Sequence, residues 1–273
     1  ARVQWGTYRY ASSGSSATVD SPWHTSEGQA VVPLGSLHPQ AAEQETVALP
    51  QLWAKSPAEK TSPGEALTTH LLATTQALEQ LHARIGAVAG LPERFWEWAR
   101  LACLFHDAGK IPAGFQTMVG NPAPAQPWGQ RHEIYSLGFV EHVLAALPEE
   151  DRLWIGLGVL THHRPLAGGE RSIRKEHRAL TTPEQIATSF GPVEQDLATH
   201  LATWLAERAG SPTPGAVTEE MLAQATHHLL EHILKTWERG ESPEEGDGLT
   251  AVLLQGAITL ADHVASAHGQ LLS

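Results

Sequence analysis

From Leu67 onward apolar residues return every third or fourth position, a spacing that only a helix gathers into one buried stripe. Leu67, Leu71, Thr74, Leu78, Leu81 and Ile85 predict a first helix ending near Gly86 to Gly90. A second helix runs from Pro92 to Asp107 and stops at Gly109, with Lys110 and Pro112 following. Ile111 to Gln130 is rich in Pro and Gly and reads as a loop. A third helix starts near Arg131 and carries Ile134, Tyr135, Phe139, Val143 and Leu147. A fourth follows Pro148, with Glu149, Glu150 and Asp151 in its first turn, and leads through Leu153, Ile155, Leu157 and Val159 to His162-His163. After a polar insertion at 164–182, further helices are expected at 183–209, 217–238 and 249–269. About seven helices without a strong strand among them make an all-α helical bundle, not a doubly wound sheet. No internal repeat, long heptad array or phosphate-binding glycine signature interrupts this pattern.

Residues 1–60 differ in kind. Val3 to Tyr10 alternates aromatic and polar residues like a strand, ASSGSSATVDS is a turn composition, and Val31 to Leu34 offers another short extended piece. This is an irregular N-terminal extension with room for a short hairpin, and 61–273 is the main domain. Cys103, the single cysteine, rules out an intrachain disulfide and a multi-cysteine metal site, and its apolar surroundings suit a buried structural thiol. No apolar stretch approaches the ~18 residues of a membrane span and no export signal is evident, so no membrane partner and a cytoplasmic location are expected. The start at Ala-Arg-Val suggests a processed chain or an excised domain. A net charge of -12, from 18 basic and 30 acidic residues, disfavours finding nucleic acid by bulk electrostatics. Bound cations or a partner that delivers the strand would offset it.

The chemistry gathers on His70, His106, Asp107, His132, His162, His163 and Asp262. His106 and Asp107 are neighbours, diverging by about 100 degrees on a helix, which two cations roughly 3.5–4 Å apart would accommodate if the aspartate bridges them. Their place at a helix C-terminus turns the negative end of its dipole toward a cation. The His162-His163 doublet closes an apolar helix, where unsatisfied imidazoles would be costly. Asp262 lies on the apolar helix LLQGAITLADHV, where a buried carboxylate needs a cation or strong donors. Imidazole with carboxylate suits Mn, Fe, Co, Ni or Zn, and the absence of thiolates argues against structural zinc.

In this order the segments LTTHLLAT, FHDAGKIPAGFQ, RHEIYS, LTHHRP and LADHVAS resemble the HD superfamily of metal-dependent phosphohydrolases, and more particularly the HD nuclease domain of Cas3 of type I CRISPR systems. HDAGK followed by Phe115-Gln116 is more specific than the bare HD pair. The resemblance covers about residues 60–269 and implies an HD-domain bundle with two divalent ions, Mn, Fe, Co or Ni, with Mg also admissible. It implies that His70, His106 and Asp262 hold one ion, and that Asp107 bridges to a second held by His132, His162 and His163. It implies Lys110 beside the scissile phosphate, neutralising charge on a nonbridging oxygen. The activity implied is hydrolysis of single-stranded DNA by a water attacking phosphorus in line, with no serine, cysteine or separate carboxylate as nucleophile. The implied partners are a Cas3 helicase domain, in cis or in trans, and the Cascade surveillance complex.

Two other functions fit less well. A nucleotide or cyclic-nucleotide phosphohydrolase calls for a closed pocket, and a nonenzymatic metal-stabilised scaffold has no use for exchangeable water positions. Arg164 to Arg178 carries a net +3 and either grips a single strand or is merely solvated. Trp96, Trp98, Trp154, Trp204 and Trp237 read as packing residues, leaving Trp128 as the tryptophan for substrate contact. His227-His228 reads as a solvated helix face.

Overall fold

The computed structural model describes residues 52–56, 64–120, 127–164, 173, 180–238 and 247–267. Strand-like Val3 to Tyr10 and Val31 to Leu34, and all of the basic Arg164 to Arg178 segment except Arg164 and Ile173, lie outside these residues.

A short antiparallel pair opens the described chain: β1 (Trp53–Lys55) and β2 (Glu65–Ala66). Ala66 is still extended, at φ -66 and ψ 141, and the next residue begins α1 (Leu67–Ile85), whose first amide donates to Leu52 O at 2.7 Å. Gly86, at φ 70, ends α1 in a conformation glycine adopts without steric cost. Then come α2 (Phe95–Phe105), a 3-10 turn (Ala108–Lys110), α3 (Ala113–Gly120), α4 (His132–Val143) and α5 (Glu149–Thr161). They are followed by α6 (Pro183–Phe190), α7 (Gln195–Ala209), α8 (Glu219–Glu238) and α9 (Asp247–Ser266). The all-α expectation holds.

Differences from the sequence reading have local causes. Ile111 to Gln130, expected as loop, contains α3: Pro112 sits before its first turn, where a missing amide costs nothing, and its carbonyl accepts from Gln116 N at 3.1 Å. Buried Phe115 and Val119 hold this short helix down. The single helix expected at 183–209 is two, broken where Gly191 takes φ 77 ahead of Pro192. Contrary to expectation, α9 is long and apolar enough to span a membrane, with a mean hydropathy of 1.3. It packs on α1, α2 and α5 and turns Asp262 inward, while Leu249, Val252 and Leu253 near its start are exposed.

Helix α4 runs against α8, α5 and the 3-10 turn, and most of its residues are buried. Gly138 permits the α4–α8 contact, because a Cβ there would come within 2.7 Å of Leu222 O. On the other side α1 packs against α2 and α9. Trp98 and Trp154 stack at 5.3 Å, with Trp98 Nε1 donating to Asp151 Oδ1 at 2.8 Å. Trp96 and Trp237 also pack against the core, as Trp204 does from within it. Phe105, fully buried where α2 reaches the site, would cost about 3–5 kcal/mol on truncation to alanine.

Candidate metal centre

Several helix ends converge on one place. His70 lies in the first turns of α1, His106 and Asp107 follow α2, His132 begins α4, His162 and His163 follow α5, and Asp262 faces inward from α9. The HD pair escapes the angular conflict of a continuous helix because the chain leaves α2: His106 remains helical at φ -54 and ψ -37, whereas Asp107 sits at φ -107 and ψ 4.

Two groups of side chains result, each of which could hold a metal ion: His70, His106 and Asp262, and Asp107, His132, His162 and His163. Asp107 faces both. Its Oδ2 is 3.2 Å from His70 Nε2 and 3.4 Å from His106 Nε2, while its Oδ1 is 2.9 Å from His132 Nε2. Asp262 Oδ1 is 3.1 Å from His70 Nε2. The His162 ring lies 5.0 Å from His106 and 5.8 Å from His132, and His163 lies 5.2 Å from His132. The sequence thus named side chains, drawn from five helices and their ends, that the fold brings to one cleft.

The donors fit a cation. Nε2 of His70, His106, His132 and His162, together with Asp107 Oδ1, are buried without a hydrogen bond of proper alignment, despite their close carboxylate neighbours. Such orphaned atoms are rare unless something else satisfies them. The opposite ring nitrogens are engaged: His106 Nδ1 bonds Cys103 O at 2.7 Å and His162 Nδ1 bonds Val159 O at 2.6 Å. A carbonyl accepts only an N–H, so both rings keep the Nε2 lone pair for a ligand.

Electrostatics agree. Burial opposes charge on His70, but Asp107, Asp262 and Glu65 outweigh it and push its pKa up to about 10. Burial would raise the pKa of Asp107, yet His106, Lys110 and His132 hold it well below the usual carboxylate range. Asp262 is lowered too, against burial, by the neighbouring His70 and by His106. His162 is pushed well down by burial and neighbouring imidazoles, and His163 falls to about 4 through burial of its inner edge and the nearby His132. Both are neutral at pH 7.

The two groups differ in access. His70, His106 and Asp262 are buried, whereas His132 is half-buried and His163 exposed, so the cleft opens on the His132–His163 side. Lys110 Nζ lies 2.5 Å from Asp107 Oδ2 and 5.6 Å from the Phe115 ring centre.

The sequence model of the Cas3 HD domain matches residues 53–270. The chain belongs to the Cas3 HD domain family. That membership makes it a metal-dependent HD-type hydrolase in a CRISPR context. No curated protein compared with it matches.

Other residues of this HD domain shape the centre without having been singled out from sequence. Ser136 Oγ accepts from Gly109 N at 2.8 Å and lies 2.8 Å from His106 O and 2.9 Å from His132 O, stitching the HD turn to α4. Gly109 is required by that approach, since a Cβ would fall 2.0 Å from His132 O. The family-like Phe115-Gln116 also gains a meaning. Gln116 Nε2 donates to Lys110 O at 2.7 Å and to Trp53 O at 3.0 Å, and its Oε1 accepts from Trp53 N at 2.9 Å. Trp128 is partly buried edge-on to Phe115 and Phe190, so it supports the pocket wall. His227 bonds Thr181 O and His228 bonds Glu141 Oε1, both at 2.9 Å and away from the centre.

Proposed function

We propose that this domain is a metal-dependent deoxyribonuclease that hydrolyses single-stranded DNA in CRISPR interference, with the strand delivered by a Cas3 helicase domain in cis or in trans and by the Cascade complex. The observation that carries the reading is the split aspartate: one Asp107 oxygen faces each ligand group, and the second group opens to solvent. His70, His106 and Asp262 would hold an inner ion and His132, His162 and His163 an outer one, with Asp107 serving both groups. Such ions, of Mn, Fe, Co or Ni, would supply Lewis acidity for hydrolysis at phosphorus.

The protein's own groups do the rest. The carbonyl bonds of His106 and His162 fix ring orientation, so little reorganisation accompanies the reaction. Lys110 supplies positive charge beside the scissile phosphate while restraining Asp107. The open His163 side favours a chain running past the centre over a small molecule sealed inside it. In domain terms, 61–273 is read as the nuclease domain and 1–60 as an extension, although residues 53–55, which pair with β2, fall inside the family match.

Metal-stripped protein incubated with circular single-stranded DNA and a nucleotide panel, with Mn, Co, Ni, Mg or Fe restored singly, tests this. Opening of the circle is expected; nucleotide turnover with intact circles would replace the nuclease by a nucleotide phosphohydrolase.

A further inference from the structure

The inner ligand group is gripped from behind by residues outside the set described above. Glu65, on β2, has a side chain only 9% exposed and lies between two donors. Its Oε1 is 3.3 Å from His70 Nδ1, and its Oε2 is 3.3 Å from Lys55 Nζ on β1. Lys55 Nζ also donates to Ser266 Oγ at 2.5 Å, and Ser266 donates to Asp262 Oδ1 at 3.1 Å. One lysine and one glutamate therefore connect the outer faces of two inner ligands on opposite helices, α1 and α9. The strand that carries Lys55 is pinned in turn, because Gln116 bonds both backbone polar groups of Trp53 while holding Lys110 O.

We propose that the β1–β2 pair is an outer brace of the metal centre, in which Glu65 and Lys55 are positioning residues that aim His70 and Asp262 at the inner ion. The brace rests on the two-ion reading of the cleft. Glu65 accepts the Nδ1 proton of His70, which leaves Nε2 to the ion and raises its basicity, the part that carboxylates play behind ligating histidines. Lys55 pairs with Glu65 and, through Ser266, holds the Asp262 carboxylate in one rotamer. Among the described residues the outer ligands are held differently: His162 Nδ1 leans on a backbone carbonyl of its own helix, as the inner ligand His106 does, and His132 Nδ1 stands 3.7 Å from Glu133 Oε2, beyond hydrogen-bonding distance. The effect is therefore selective for one ion of the two.

The test is titration of Co(II) into the chelator-stripped full chain, following d–d absorption and bound metal, for wild type, Glu65→Ala, Glu65→Gln and Lys55→Met. Wild type is expected to take up two ions. Glu65→Ala should weaken one of them by roughly ten- to a hundredfold while leaving the other within about twofold. Glu65→Gln, which still offers an oxygen to Nδ1–H, should recover part of that loss, and Lys55→Met should weaken the same ion less. DNA cleavage by Glu65→Ala should fall at limiting Co(II) and return at saturation. Wild-type affinities in Glu65→Ala and Lys55→Met overturn the brace. So does equal weakening of both ions with a lower melting temperature of the cation-free protein, which would mark a merely structural role. Fewer than two ions in wild type itself would overturn the two-ion reading, and the brace with it, whatever the variants do.

Discussion

Replacing Ser136 with alanine removes one oxygen that three chain segments share. Ser136 is fully buried, and its hydroxyl accepts the Gly109 amide while its single proton goes to His106 O or His132 O. The substitution leaves the Gly109 N–H buried without an acceptor, a cost of about 1–3 kcal/mol, and forfeits a further hydrogen bond of about 1 kcal/mol. The hydroxyl volume is small and its loss adds little. The expected destabilisation is about 2–4 kcal/mol, and a domain of this size loses roughly 2–4 °C per kcal/mol, so the melting temperature should fall by about 4–16 °C. The measurement belongs in chelator, where metal uptake cannot mask the change. Because the same hydroxyl ties the HD turn to the start of α4, cleavage at saturating metal should drop in kcat more than in KM. Ser136→Cys, a weaker donor and acceptor, should lie between. If Ser136→Ala melts within about 1 °C of wild type and cleaves normally, the stitch between Asp107 and His132 is not what sets their geometry.

Three other outcomes follow from the same cleft. Asp107→Ala removes both bridging oxygens, should lower metal content, and should cut DNA hydrolysis by roughly a thousandfold, as expected when about 4 kcal/mol of ion-derived stabilisation is lost; metal analysis beside a cleavage assay checks both, and full metal-dependent turnover refutes the bridge. Chelator should strip metal in two phases, because the ligands at His132 and His163 face solvent and those at His70 and His106 do not; stopped-flow release in a single phase would contradict that difference. In the cation-free protein His70 keeps its proton below about pH 10, while His163, near 4, is already neutral at pH 8. Ligation demands neutral His70, so metal binding should expel about one proton and its affinity should rise with pH up to about 10, as calorimetry in buffers of different ionisation heat would record; no proton release would refute it.

Much of this was legible in the chain itself. Helical spacing located α1, α4 and α5, and the candidate ligands that the fold brings together were readable because imidazoles and carboxylates inside apolar stripes demand a reason. Their neighbours were hidden for physical causes. Ser136 is an ordinary small polar residue until α4 is laid against the Asp107 turn. Glu65 and Lys55 flank a segment of mixed composition, and only pairing across β1 and β2 brings them behind His70. Gln116 stood in a quoted motif, but its partner Trp53 is 63 positions away. Helix α3 was misread because Pro112 counts as a breaker by composition and as a helix start by position. The basic segment after Arg164 falls outside the described residues except for its first arginine and Ile173, so its grip on a strand stays an expectation from charge.

Asp262 reaches the cleft on α9, the last described helix, where it meets His70 from α1, the first. A ribosome must therefore have released almost the whole domain before the inner pocket can close around an ion. On the two-ion reading, a chain that ends before α9 carries most of the histidines but lacks the Asp262 side of the inner pocket.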